Sequence, residues 1–246
     1  MRSYFHTLFA ILLLIFVSSC NQSNKQSSKV EKTETIEESV STNKSPELKP
    51  DPKEDKQEEE KEEVEKLTVK SAIPFFFEYE KKNPETKVRI KTSYGNIDIE
   101  LFKETPYHRA NFIFLTKNGY FNGTYFHRVV KNFIIQGGNS DEASTQKKRF
   151  KIGQYLLPPD TKKGFKHHRG TISMPSSDID NPHQLASPYE FFIVNQSPGA
   201  YHLDGKYSAF GRVIAGMDVV DAINSIPTDD GEWPVKNVRM EVIILE

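Results

Sequence analysis

Cysteine is almost missing from this 246-residue chain: Cys20 is the only one, so no disulfide can form within the chain and the folded part must be held by its core. There is no Cys/His spacing of the finger type, no glycine-rich phosphate loop and no internal repeat. His167 and His168 are adjacent, with His183 and His202 apart from them. Adjacent histidines in a strand point in different directions and no carboxylate stands at a ligand spacing, so no metal and no cofactor is expected. An excess of either charge is lacking too. With 33 Lys+Arg against 34 Asp+Glu the formal net charge is -1, which argues against nucleic acid as a partner, because a phosphate binder needs a basic face. Nor is there an apolar run long enough to cross a bilayer: Leu8 to Val17 falls well short of the about 20 residues that a hydrocarbon core requires.

What is present begins with that short run. Behind Arg2 it reads as a signal-peptide core, residues 1–19, and it ends Val17-Ser18-Ser19-Cys20, which resembles the bacterial lipobox. The resemblance implies cleavage before Cys20, lipidation of its thiol and a mature protein held to a membrane by acyl chains. Ordinary secretion with an unmodified Cys20, or a buried thiol, are the alternatives. Asn21 after Cys20 favours the outer membrane, and the expected place is the bacterial cell envelope, facing the periplasm. From Asn21 to about Lys66 the chain is mostly Ser, Asn, Gln, Pro, Glu and Lys, too poor in apolar surface to offset the entropy of ordering. Residues 20–68 are therefore expected to be a disordered acidic tether, on the order of 40 Å across as a coil.

Residues 69–86 are read as an N-terminal arm, with Phe75-Phe76-Phe77 packing on the domain as a short helix or an extended segment, and residues 87–246 as the folded domain. Val88, Ile90, Ile97, Ile99 and Leu101 alternate around Tyr94-Gly95-Asn96, the pattern of a β-hairpin. Thr105-Pro106 predicts a helix start, and Ala110, Ile113, Phe114 and Lys117 continue an amphipathic helix to Asn118-Gly119. Asp141 to His168 reads as polar loop. Strands are expected at Gly170–Met174, Glu190–Val194, Ala209–Val213 and Val238–Leu245, with a second helix at Met217–Ser225.

The densest block is residues 125–137, Tyr-Phe-His-Arg-Val-Val-Lys-Asn-Phe-Ile-Ile-Gln-Gly. Lys131-Asn132 is a turn between two short strands, and alternation sends Ile134 and Gln136 to one side and Ile135 to the other. Phe126-His127-Arg128 followed by Phe133-Ile134-Ile135-Gln136-Gly137-Gly138 resembles the signature of the cyclophilin-type peptidyl-prolyl cis/trans isomerases. Gly170–Met174, Phe191–Ile193, Leu203–Lys206, Phe210–Val213 and Gly216–Val220 follow in the order of that family. The resemblance implies a mainly β fold, a closed eight-stranded antiparallel barrel with two helices. It also implies isomerisation of X-Pro bonds in unfolded or folding polypeptides, by a monomer without cofactor.

By the same resemblance Arg128 is the catalytic hydrogen-bond donor and Gln136 holds it in register. Phe133, Ile134, Phe192 and Leu203 form a pocket for the proline ring, although these four also suit plain barrel core. The chain departs from the family pattern in places. Met174-Pro175-Ser176 replaces the usual Met-Ala-Asn that receives the substrate main chain. Glu190 stands in place of Gln, on the face of Phe192, and is expected to pair with Arg128. His202 replaces a common tryptophan and Tyr207 a histidine. These departures leave a second reading, a proline-peptide binding or chaperone module with weak catalysis. No Ser or Cys sits in a nucleophile motif, which disfavours a hydrolase.

Overall fold

The computed structural model describes residues 66–176 and 180–245. The signal-like run, Cys20, nearly all of the tether and the start of the loop from Asp178 lie outside the described residues. Two strands, β2 (Lys87–Thr92) and β3 (Gly95–Leu101), form the expected hairpin, with the turn on Ser93-Tyr94. Their alternate residues Val88, Ile90, Ile97, Ile99 and Leu101 all point into the core. The signature block gives β4 (Tyr125–Val130) and β5 (Ile134–Asn139), turning at Asn132 with φ 58°. Then come β7 (Thr171–Met174), β8 (Phe191–Val194), β9 (Ser208–Ala215) and β10 (Val238–Leu245). The order β10-β2-β3-β9-β7-β8-β5-β4 closes through β4 and β10, and every pairing is antiparallel. The eight-stranded barrel is thus as expected.

The helix count is not. Four α-helices are present among the described residues: α1 (Ala72–Lys82), α2 (Pro106–Lys117), α3 (Ala143–Ile152) and α4 (Met217–Asn224). The arm is helical, and Phe75, Phe76 and Tyr79 pack their rings on Phe114 of α2 at 5.1, 5.8 and 5.3 Å. Thr105 does stand before α2, but its hydroxyl bonds the Phe102 carbonyl and caps nothing. The third helix falls where loop was expected. Its sequence buries only Thr145, so it carries no apolar stripe, and it is fixed by polar contacts, with Lys148 Nζ donating to the carbonyls of Gly119 (2.9 Å) and Asn122 (2.6 Å).

Ordered structure also begins earlier than the tether boundary at 68 suggests. β1 (Leu67–Thr68) pairs in parallel with β6 (Gly153–Gln154), and Leu67 is 3% exposed. The approach needs glycine: Gly153 has φ +131°, and a Cβ there would overlap the Leu67 backbone.

Candidate active site

Directly opposed residues on neighbouring strands share a face. Arg128 stands opposite Gln136, Gln136 opposite Phe192, and Phe192 opposite Ser173, so one row of side chains crosses β4, β5, β8 and β7. The alternate residues Ile135, Ile193 and Ile172 belong to the main core, so this row faces away from the barrel interior. At about 4.8 Å per strand, Arg128 lies roughly 10 Å across the sheet from Phe192.

Ile134, Phe192, Val194, Ala200 and Leu203 form a small apolar cluster apart from the main core, and Val130, Phe133 and Tyr207 pack against it. All four residues expected to make a ring pocket, with Tyr207, are therefore brought together. Tyr207 meets Phe192 edge-on at 5.7 Å, and His202 stacks on Phe133 at 5.3 Å from the rim. Met174 is elsewhere: it is 1% exposed and packed in the barrel core, so its side chain is no substrate contact. The Pro175 carbonyl accepts from Ser187 N (2.8 Å), and the Ser176 hydroxyl is engaged by Leu185 and Asn181. Both serve to tie down the loop that follows.

Behind the pocket lies a polar brace. His167 is fully buried, its ring 6.2 Å from and nearly parallel to that of Phe192. Its Nδ1 meets Asp204 Oδ1 at 2.9 Å and its Nε2 meets Ser173 Oγ at 2.9 Å. Burial pushes the imidazole pKa down against the pull of Asp204. Burial would raise the Asp204 carboxyl, but His167 and Lys166 outweigh it and hold it below the usual range. A neutral His167 thus donates from Nδ1 and accepts at Nε2. The connectivity is that of a Ser-His-Asp triad, yet Ser173 and His167 are sealed from solvent and no substrate carbonyl can reach the hydroxyl.

The pairing of Glu190 with Arg128 is corrected by the structure. The intervening strand β5 keeps the two apart, and Gln136 fills the space, donating from Nε2 to Glu190 Oε2 at 2.9 Å. Glu190 also approaches His127 Nε2 and Arg149 Nη2, each at 3.5 Å. Burial would raise its carboxyl, but His127, Gln136 and Arg149 outweigh that and leave the pKa lowered. Gln136 accordingly holds Glu190, and it makes no hydrogen bond to Arg128 among the described residues. The motif glycine Gly138 permits the close fit: its φ is +97°, and a Cβ would overlap the Tyr189 carbonyl.

The carboxylate that holds Arg128 is Glu232, in the turn between α4 and β10, at 2.7 Å from Nε. Sequence reasoning missed it, as it missed Arg149 on α3 and the joining of His167 to Asp204. Nothing in the sequence around Glu232 signals a partner 104 residues away.

Comparison with known proteins agrees with this geometry. The family model for cyclophilin type peptidyl-prolyl cis-trans isomerase/CLD matches residues 87–244, well over half of the chain. The chain belongs to the cyclophilin-type isomerase family. A peptidyl-prolyl cis-trans isomerase of Acinetobacter baylyi is 39% identical over 168 residues, covering 64% of this chain and 85% of that protein. Peptidyl-prolyl cis-trans isomerase-like 2 of Rhizopus delemar is 38% identical over 169 residues, covering 68% of this chain and 30% of that longer protein. A solved cyclophilin-type isomerase of Cryptosporidium parvum, crystallised in the presence of the dipeptide Ala-Pro, has a TM-score of 0.55 at 29% identity, covering 65% of this chain and 99% of that one. Residues 87–244 are thus a cyclophilin-type peptidyl-prolyl isomerase domain.

Proposed function

We propose that this cyclophilin accelerates X-Pro isomerisation in exported polypeptides by Arg128-assisted stabilisation of the twisted amide. Rotation about the peptide bond has a barrier of ~18–20 kcal/mol and breaks no bond, so neither nucleophile nor metal is needed. The requirement is an apolar seat for the proline ring and a donor whose hydrogen bond strengthens as amide resonance is lost. Arg128 standing in one row with Gln136 and Phe192, beside the apolar cluster of Ile134, Phe192 and Leu203, is the observation that carries this reading. A net hydrogen bond to a charged group contributes ~1.5–3 kcal/mol, so positioning and exclusion of water must supply part of the acceleration.

Arg128→Ala should lower kcat/KM for a proline peptide by about one to three decades, ~1.4–4 kcal/mol of transition-state stabilisation, with the fold retained. Lysine should not restore it, because a flexible point charge lacks the planar fork. Full activity of Arg128→Ala in a peptide isomerisation assay would defeat the mechanism. Catalytically weak proline-peptide binding is the second reading. It draws on Arg128 being already paired with a carboxylate, and a wild-type rate no faster than the uncatalysed one would favour it.

The cellular setting is part of the same proposal. Signal-like residues 1–19, the lipobox-like Val17-Ser18-Ser19-Cys20 and the acidic stretch to about Lys66 together support a domain that is lipidated at Cys20 and tethered to the periplasmic face of the bacterial outer membrane, where exported chains fold.

A further inference from the structure

We propose that Glu232 is a positioning residue for Arg128, a role that rests on Arg128 being the catalytic donor. The turn that carries it is tightly made. Asp229 Oδ1 accepts from Gly231 N (2.9 Å) and Trp233 N (2.8 Å), Asp229 N donates to the Trp233 carbonyl (2.9 Å), and Glu232 N donates to the Asp229 carbonyl (3.0 Å). Within it Glu232 adopts φ +64°, a left-handed conformation that glycine or asparagine takes at less cost than glutamate. Strain held at one residue by its surroundings is a pointer to function when that residue also makes a specific contact.

Glu232 makes two, both to β4. Its carbonyl accepts from Val129 N at 2.8 Å, and its carboxylate accepts from Arg128 Nε at 2.7 Å. Next to it, the Trp233 ring lies 5.7 Å from that of His127. The turn therefore grips β4 at three consecutive residues, 127 to 129, with Arg128 in the middle. In this left-handed conformation one residue sends its carbonyl and its carboxylate to neighbouring positions of the same strand.

The chemical consequence follows from which nitrogen is taken. A carboxylate on Nε fixes the plane of the guanidinium, while Nη1 and Nη2 make no hydrogen bond to another described residue and remain to meet an amide. Arg128 is 42% exposed at its side chain, and a long cation on an open surface would otherwise sample many rotamers. Holding it before substrate arrives raises the fraction of encounters in which the donor is aimed.

The test uses the full chain and four variants, Glu232→Gly, Glu232→Gln, Arg128→Ala and the double variant Arg128→Ala/Glu232→Gly, with kcat and KM read on a short Ala-Pro peptide by NMR exchange. Glycine suits the left-handed backbone, so Glu232→Gly keeps the turn while deleting the carboxylate, and an unchanged circular-dichroism spectrum verifies the fold. Glu232→Gly should lower kcat about three- to tenfold with KM held within about twofold. Glu232→Gln retains an acceptor oxygen and should recover most of the loss. In the Arg128→Ala background, Glu232→Gly should do nothing further. The inference is overturned if Glu232→Gly keeps or gains activity, if glutamine is as poor as glycine, or if the losses simply add. Full activity of Arg128→Ala alone would instead overturn the reading beneath it.

Discussion

Replacing Glu190 by glutamine removes a charge and almost no volume, and it should cost stability at neutral pH in a way that fades on acidification. The carboxylate sits among Gln136 (2.9 Å), His127 (3.5 Å) and Arg149 (3.5 Å) and is 20% exposed. A hydrogen bond to a charged group contributes about 1.5–3 kcal/mol, but the two contacts at 3.5 Å are looser and part of the carboxylate remains wet, so about 1–2 kcal/mol is expected for the exchange. Glutamine would keep one acceptor and turn an amide donor toward groups that are themselves donors. For a domain of this size that is a drop of about 2–8 °C in the melting midpoint. The sign of the pH dependence follows from the lowered folded-state pKa. A carboxyl depressed on folding stabilises above its unfolded value, near ~4.3, and loses that contribution as pH falls through the folded value. The gap between wild type and Glu190→Gln, measured by urea titration, should be widest at neutral pH and close as the pH drops below about 4. A variant as stable as wild type at neutral pH, or a gap that widens in acid, would refute the account of this network. Because Glu190 anchors Gln136 and not Arg128, the loss of isomerase activity should be smaller than that of Arg128→Ala.

Two further outcomes concern residues that precede the barrel. Leu67→Ala should destabilise the domain by about 2–4 kcal/mol, since Leu67 is 3% exposed against β6, and a truncated chain beginning at residue 69 should show a similar loss in a denaturant titration. Equal midpoints for a chain starting at 66 and one starting at 69 would mean that β1 contributes nothing. Cys20→Ala should leave specific activity unchanged while shifting the protein from the membrane fraction to the soluble periplasm, or leaving it unprocessed. Unaltered processing and membrane retention would count against lipidation.

The parts of the fold legible in the sequence are those whose side chains alternate in and out of one core. Val88, Ile90, Ile97, Ile99 and Leu101 announce β2 and β3 because each buried residue is followed by a wetter one. The third helix announces nothing, since what holds it is Lys148 reaching carbonyls on another segment, a contact that leaves no period in its own sequence. The same division runs through the site. Phe133, Ile134, Phe192 and Leu203 could be named beforehand because the resemblance of their motifs to those of the family implies a ring pocket there. The partner of Arg128 could not, because parity assigns a face and not a neighbour. Glu190 does lie beside the row, but β5 stands between β8 and β4, and Gln136 takes the carboxylate first.

That division has a mechanistic corollary. In a chain where Gln136 is committed to Glu190, the guanidinium has to find its orientation elsewhere, and Glu232 offers it from a turn distant in sequence. The two carboxylates then do separable work. Glu190, one-fifth exposed and ringed by donors, should report mainly in stability. Glu232, two-fifths exposed on a surface turn, should report mainly in rate, because an ion pair so open to solvent adds little to folding yet still fixes where a donor points. Measuring both variants for both quantities therefore sets the assignment against itself. If Glu190→Gln lost rate without stability, or Glu232→Gly lost stability without rate, this division of work between the two carboxylates would be refuted.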